Sequence, residues 1–110
     1  MRLLANNENL TLTAPTGGVQ YGIPLKMGVV LVIPAMNADE GQPFTGEVQG
    51  VFVDFPLKDG DTPNYEGEYA YFDPTAKEFT VTKPAAPDDK PIGAFITEHG
   101  KQALYLPGIL

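Results

Sequence analysis

"NLTLTAPTGGVQYGIP", residues 9–24, decides between two kinds of molecule. It opens in strict alternation, with Leu10, Leu12 and Ala14 on one face and Thr11 and Thr13 on the other, the period of a strand. Pro15-Thr16-Gly17-Gly18 then ends the run. A glycine pair after a strand can open a phosphate-cradling loop, which would make the chain a nucleotide-dependent enzyme. That loop reads G-x-x-x-x-G-K-[ST] and runs into a helix. Gly22 stands five residues after Gly17, but Ile23 and Pro24 occupy the places of the lysine and the magnesium-binding hydroxyl. Pro24 also removes a backbone donor where such a loop must offer one. The stretch reads as a corner between two strands, with its glycines at positive φ.

The rest of the chain is punctuated in the same way. Eleven prolines and twelve glycines are spread over all 110 residues. Turn signals recur about every 8–12 residues, the spacing of an all-β sandwich or barrel. No window holds apolar residues at helical spacing free of Gly and Pro, so no long helix is expected. "GVVLVI" (28–33) predicts a strand buried on both faces. "TGEVQGVFVDF" (45–55) predicts another, with Val51, Val53 and Phe55 on one face and a bulge or bend at Gly50. "GEYAYF" (67–72) pairs with "EFTVT" (78–82) through a five-residue connection, Asp73 to Lys77. "IGAFIT" (92–97) and "QALYL" (102–106) form a closing hairpin around "EHGK". Residues 1–9 carry no periodicity and read as an extended N-terminal arm. The expectation is all-β: a small antiparallel β-barrel or sandwich, one domain over 10–110 behind that arm.

Charge and composition exclude several functions. Fourteen acids against six lysines and one arginine give a net charge of −7. A nucleic-acid binder needs a basic face, because counterion release from phosphates supplies much of its affinity, so no direct nucleic-acid partner is expected. The apolar start of "MRLLANNENL" is too short for a signal peptide. The longest apolar run, Met27 to Met36, falls short of a bilayer span and is broken by Pro34, so a soluble protein without membrane contact is expected. With no cysteine there is neither a disulfide nor a thiolate metal site. "DGDTPNYEGE" (59–68) begins like a calcium loop, but Pro63 takes the fifth position and Asn64 the sixth, leaving an acidic turn. The single histidine, His99, has Glu98 beside it, and an acid–base pair can be drawn. Neighbouring side chains in a turn rarely converge, and the chain has no serine or cysteine nucleophile. No catalytic residue, metal or cofactor is expected.

Contact residues are better candidates. Tyr69 and Tyr71 share one strand face, and Ala70 and Phe72 share the other; with Phe79 and Val81 opposite, the pattern builds a core wall. Tyr21, Phe44, Tyr65 and Tyr105 sit near turns or strand ends, where rings serve either as core or as interface anchors. In the arm, Leu3 and Leu4 stand beside Arg2, the one arginine, with Asn6 and Asn7 following. An apolar pair there docks either on its own domain or on another subunit. The candidate interface is therefore Arg2, Leu3, Leu4, Asn6, Asn7, Tyr21, Phe44, Tyr65 and Tyr105.

Several stretches together carry a family resemblance. "NLTLTAPTGGV" (9–19), "GVF" (50–52), "YAYFDPTAKEFT" (69–80), "PIGAFI" (91–96) and "ALYLPG" (103–108) occur in the order seen in phage capsid cement, or head-decoration, proteins. The chain resembles that family over residues 8–108. Members have sometimes been labelled RecA/RadA-type recombinases, and the missing lysine after Gly22 argues against that label here. The resemblance implies a tulip-like β domain assembling as homotrimers on the outer surface of an HK97-type phage head. Such proteins are made in the host cytoplasm, join the expanded shell at three-fold and quasi-three-fold positions, and clamp the major capsid protein, with the arm lying across neighbouring subunits. Residues 23–37 depart from the family's usual glycine- and alanine-rich stretch. The alternative is a small ligand-binding β module for carbohydrate or a host surface, using Tyr21, Tyr65 or Tyr105 as stacking platforms.

Overall fold

The computed structural model describes residues 1–107, with the side chains of Arg2 and of residues 5–8 outside that description. The described residues form eight strands and no helix: β1 (Arg2–Thr13), β2 (Leu25–Met27), β3 (Val30–Pro34), β4 (Pro43–Val53), β5 (Glu68–Asp73), β6 (Glu78–Thr80), β7 (Gly93–Glu98) and β8 (Lys101–Leu106). They make one curled antiparallel sheet, a half-barrel, in the order β2-β3-β4-β8-β7-β5-β6, with β1 attached to β4 off that path. The all-β expectation holds.

β4 is the spine of the sheet. Along one edge it pairs with β1 from Thr13↔Pro43 to Arg2↔Val53. Its other edge is shared: β3 takes Gly46 and Glu47, and β8 takes Gly50, Val51 and Phe52. Between them, at Val48 and Gln49, the sheet forks into a β3–β2 branch and a β8–β7–β5–β6 branch. The sequence of β4 suits this place. Phe44, Gly46, Val48 and Gly50 are buried in alternation, and from Gly50 to Val53 every residue is buried. Gly46 cannot carry a side chain, since a Cβ there would stand 2.4 Å from the Val32 Cγ1.

The ladder between β1 and β4 is regular from Asn9 to Thr13 and slips three times before it. Ala5↔Val51 is followed by Glu8↔Gln49, so β1 carries one more residue than β4 opposite Gly50. The irregularity expected at Gly50 thus takes the form of a bulge on the facing strand. Residues 2–9, read as an arm, run here as the bulged first part of β1. Met1 and Leu3 pack against one cluster and Leu4 against another.

The corner at 14–22 is built as the sequence implies. Gly18 N donates to the Pro15 carbonyl at 2.9 Å, with Gly17 and Gly18 at φ 90° and 76°. A Cβ on Gly18 would lie 2.6 Å from the Ala38 carbonyl oxygen, because Val19 and Ala38 exchange backbone hydrogen bonds there. No helix follows. The next segment corrects the reading of 28–33 as one strand. Met27 pairs with Val30, which makes Gly28-Val29 a two-residue hairpin turn between β2 and β3. Gly28 takes φ 69° at the first turn position, which glycine fills without steric cost, and Val29 is left 84% exposed. The remainder, Leu31 to Pro34, is buried throughout, as a strand covered on both faces should be.

Three apolar clusters fill the molecule. The largest gathers Phe52, Phe72, Phe79, Phe95 and Leu104 with Leu31, Ile33 and Leu106. Phe72 and Phe79 face each other across β5 and β6, with ring centres 5.1 Å apart. A second holds Val32, Phe44 and Val48; a third, on the other face of the sheet, holds Val51, Val53 and Ala103. Phe55 does not join Val51 and Val53 as expected. Asp54 adopts φ 56° and turns the chain, and Phe55 packs edge-on against Phe79 in the main cluster. The β5–β6 connection is four residues, not five, because Asp73 pairs with Glu78; its carboxylate accepts from the Thr75 and Ala76 amides.

Two substitutions check this packing by chemical denaturation. Phe79 is fully buried, so Phe79→Ala is expected to cost about 3–5 kcal/mol, and half-buried Val81→Ala less. At Gly93 a Cβ would come 2.1 Å from the Tyr105 carbonyl oxygen, so Gly93→Ala must spread β7 from β8 and is expected to cost about 1–3 kcal/mol.

Candidate functional site

The β7–β8 hairpin closes through Glu98↔Lys101, with His99 and Gly100 at φ 51° and 76°, a turn with both central residues left-handed. This geometry brings the two neighbours together after all: His99 Nε2 lies 3.1 Å from Glu98 Oε1. The pair stands on a hairpin tip with the imidazole largely exposed. The acidic turn is likewise structural. Asp61 Oδ2 accepts from Thr80 Oγ1 at 2.6 Å and from Val81 N at 3.0 Å, which ties the 56–64 loop to β6. Asn64 Oδ1 accepts from Glu66 N, and Glu68 Oε1 accepts from Asn64 N. Among the described residues no group of three His, Cys, Asp or Glu could hold a metal ion.

The candidate contact residues separate into inside and outside. Phe44 is 1% exposed in the second cluster, so it serves the interior and offers no surface to a partner. Its position just after a turn leaves core and interface both open in the sequence, and β4 carries it inward. Tyr65 is half-buried, with its ring edge-on to Phe95 at 5.7 Å. Leu3 and Leu4 are half-buried against their own domain. Arg2, Asn6 and Asn7 lie on β1, with side chains outside the described residues. Tyr21 and Tyr105 remain at the surface, 61% and 37% exposed.

Tyr69 is the residue that the sequence reading missed. It is 66% exposed, although its strand alternates like a core strand. The half-barrel has one concave face; Ala70 and Phe72 occupy it, so Tyr69 points outward. Register places Tyr69 opposite Ala94 and Ala94 opposite Tyr105. The small alanine between two rings leaves a shallow apolar shelf of about 250 Å³, bordered by Pro91, Ile92 and Pro107. Tyr105 also pairs with Val51, so the shelf adjoins the third cluster, which Leu4 and Ile96 partly cover. A second exposed apolar group, Tyr21, Ile23 and Met36, caps the corner loops, where Asn37 Oδ1 accepts from Tyr21 N at 2.7 Å. Exposed aromatic rings set beside apolar surface are suited to protein contact rather than to catalysis.

A sequence model of one family, described as phage cement protein, matches residues 4–103. No curated protein and no solved structure matches the chain.

Tyr65 offers a check on the interior placement of its ring. Burial raises the phenol above its usual value of 10.0 by disfavouring the phenolate. The unfolded chain then ionises at lower pH than the folded one, so this contribution is complete below about pH 10 and is lost as pH rises through the raised folded value. Measured as urea midpoints, wild-type stability relative to Tyr65→Phe is expected to be level up to about pH 9 and to fall above about pH 10. A level difference throughout would place the phenol in solvent.

Proposed function

The chain belongs to the phage cement protein family, a capsid-associated structural family, and from that premise we propose that it decorates the outer surface of an HK97-type phage head. In this reading it joins the shell after expansion, binds the major capsid protein, and sits as homotrimers at three-fold and quasi-three-fold positions. It is made in the host cytoplasm and acts in the virion without catalysis or cofactor. The family match over residues 4–103 carries the proposal.

The physical features suit such work. A cement needs a stiff body and adhesive surface, and the sheet supplies a β body with an apolar shelf at Tyr69–Tyr105 and exposed apolar side chains at Tyr21, Ile23 and Met36. Many copies on one shell multiply modest contacts, since linked binding events raise effective affinity by about 10²–10⁴. The first half of β1 suits the arm. Three register slips between Leu3 and Asn9 leave that ladder irregular, so residues 1–9 are the part of the sheet most easily released onto a neighbouring subunit. Arg2, Leu3, Leu4, Asn6 and Asn7 would then contact the shell together with Tyr21, Tyr105 and Tyr69.

The test is co-sedimentation with expanded shells lacking their cement, counting copies bound per shell. Saturation at three copies for each three-fold and quasi-three-fold position is the expected result. The doubly substituted Tyr69→Ser/Tyr105→Ser protein should keep its fold, because both rings are exposed, and should bind at least about tenfold more weakly. Failure of the wild-type protein to sediment with expanded shells would overturn the reading.

A further inference from the structure

The fork in the sheet borders a cavity that shares Pro91 and Ile92 with the Tyr69–Tyr105 shelf but opens on other residues. It has a volume of about 340 Å³ and lies between the β2–β3 hairpin and the 87–92 segment. Val48, at the point where β4 changes partner from β3 to β8, and Leu106, at the end of β8, contribute to its lining. Val30 stands on one wall and Ile92 on the other, and half of the lining residues are branched aliphatic. Small-molecule sites run from about 300 Å³ upward and combine such walls with a few convergent polar groups.

The polar groups here are two lysines and one aspartate. Lys26 Nζ bonds Asp88 Oδ1 at 2.9 Å and joins the two branches near the surface. That bridge offsets the charge of Asp88. The Lys90 ammonium, also lining the cavity, makes no ion pair among the described residues. In a chain of net charge −7, an apolar cavity bordered by a bridged cation and an uncommitted one is the reverse of the average surface. We propose that this cavity binds a small amphipathic carboxylate, with its aliphatic body on Val30, Val48, Ile92 and Leu106 and its carboxylate on Lys90. The apolar body gains by leaving water, and the head selects an anion over a cation of the same length.

Octanoate is the probe, followed through the methyl signals of the intact protein in carbon–proton NMR spectra. The expected result is a saturable shift of the Val30, Val48, Ile92 and Leu106 methyls. Octylammonium and octan-1-ol should bind at least about tenfold more weakly. Lys90→Glu, at an exposed position, should leave the unfolding temperature unchanged and weaken octanoate at least about tenfold. Val48→Phe should fill the floor and abolish the shifts; Lys90→Glu carries the test if that variant fails to fold. Methyls unmoved by octanoate, octylammonium binding as well as octanoate, or Lys90→Glu binding like wild type would each overturn the site. Shell co-sedimentation reads none of these outcomes, so the two proposals stand or fall separately.

Discussion

Everything in this fold depends on β4 having both of its edges paired. Buried backbone donors and acceptors must find partners, and an eleven-residue central strand presents a long row of them on each side. β1 covers one edge from end to end, and β3 and β8 divide the other. That division produces the half-barrel, because two branches leaving one strand diverge instead of continuing flat. It also explains the three clusters. β1 contributes to each of them, Leu3 to the first, Leu12 to the second and Leu4 to the third, so one strand borders all three.

The sequence made legible what is decided locally. The alternation at 10–14, the Pro-Gly corner and the hairpin around His99 and Gly100 are settled by residues within a few positions of one another, and each appears in the structure. What escaped depends on partners far along the chain. "GVVLVI" looks like a single strand until Leu25 is paired with Val32, which forces a turn at Gly28-Val29. Phe55 follows its strand by pattern, but one left-handed residue, Asp54, sends it to another cluster. Phe44, open between core and interface, lies inside, and Tyr69, on a strand patterned as a core wall, lies outside, for the same reason. Alternation says which residues share a face, whereas the curl of the sheet says which face is inside. The fork, and the cavity in it, rests entirely on long-range pairing and leaves no local signature.

In the proposed reading, function in this molecule is a matter of surface. Several charged groups are spent on turns and loop ties, as at Asp61, Asp73 and the Lys26–Asp88 bridge. The exposed aromatic rings have no such structural task. Tyr69 and Tyr105 frame a small residue across three strands, a flat and stiff arrangement that buries much area on contact and loses little side-chain freedom. In the proposed reading, attachment to a shell would use that face, and the slipped ladder of β1 would supply a segment reaching beyond the body.

The most direct measurement is an image reconstruction, by electron cryomicroscopy, of expanded shells saturated with the protein. The account predicts three-fold clusters in which the Tyr69–Tyr105 face is covered by the shell or by a neighbouring copy. A reconstruction with that face turned to solvent, and every contact made elsewhere on the molecule, would contradict it.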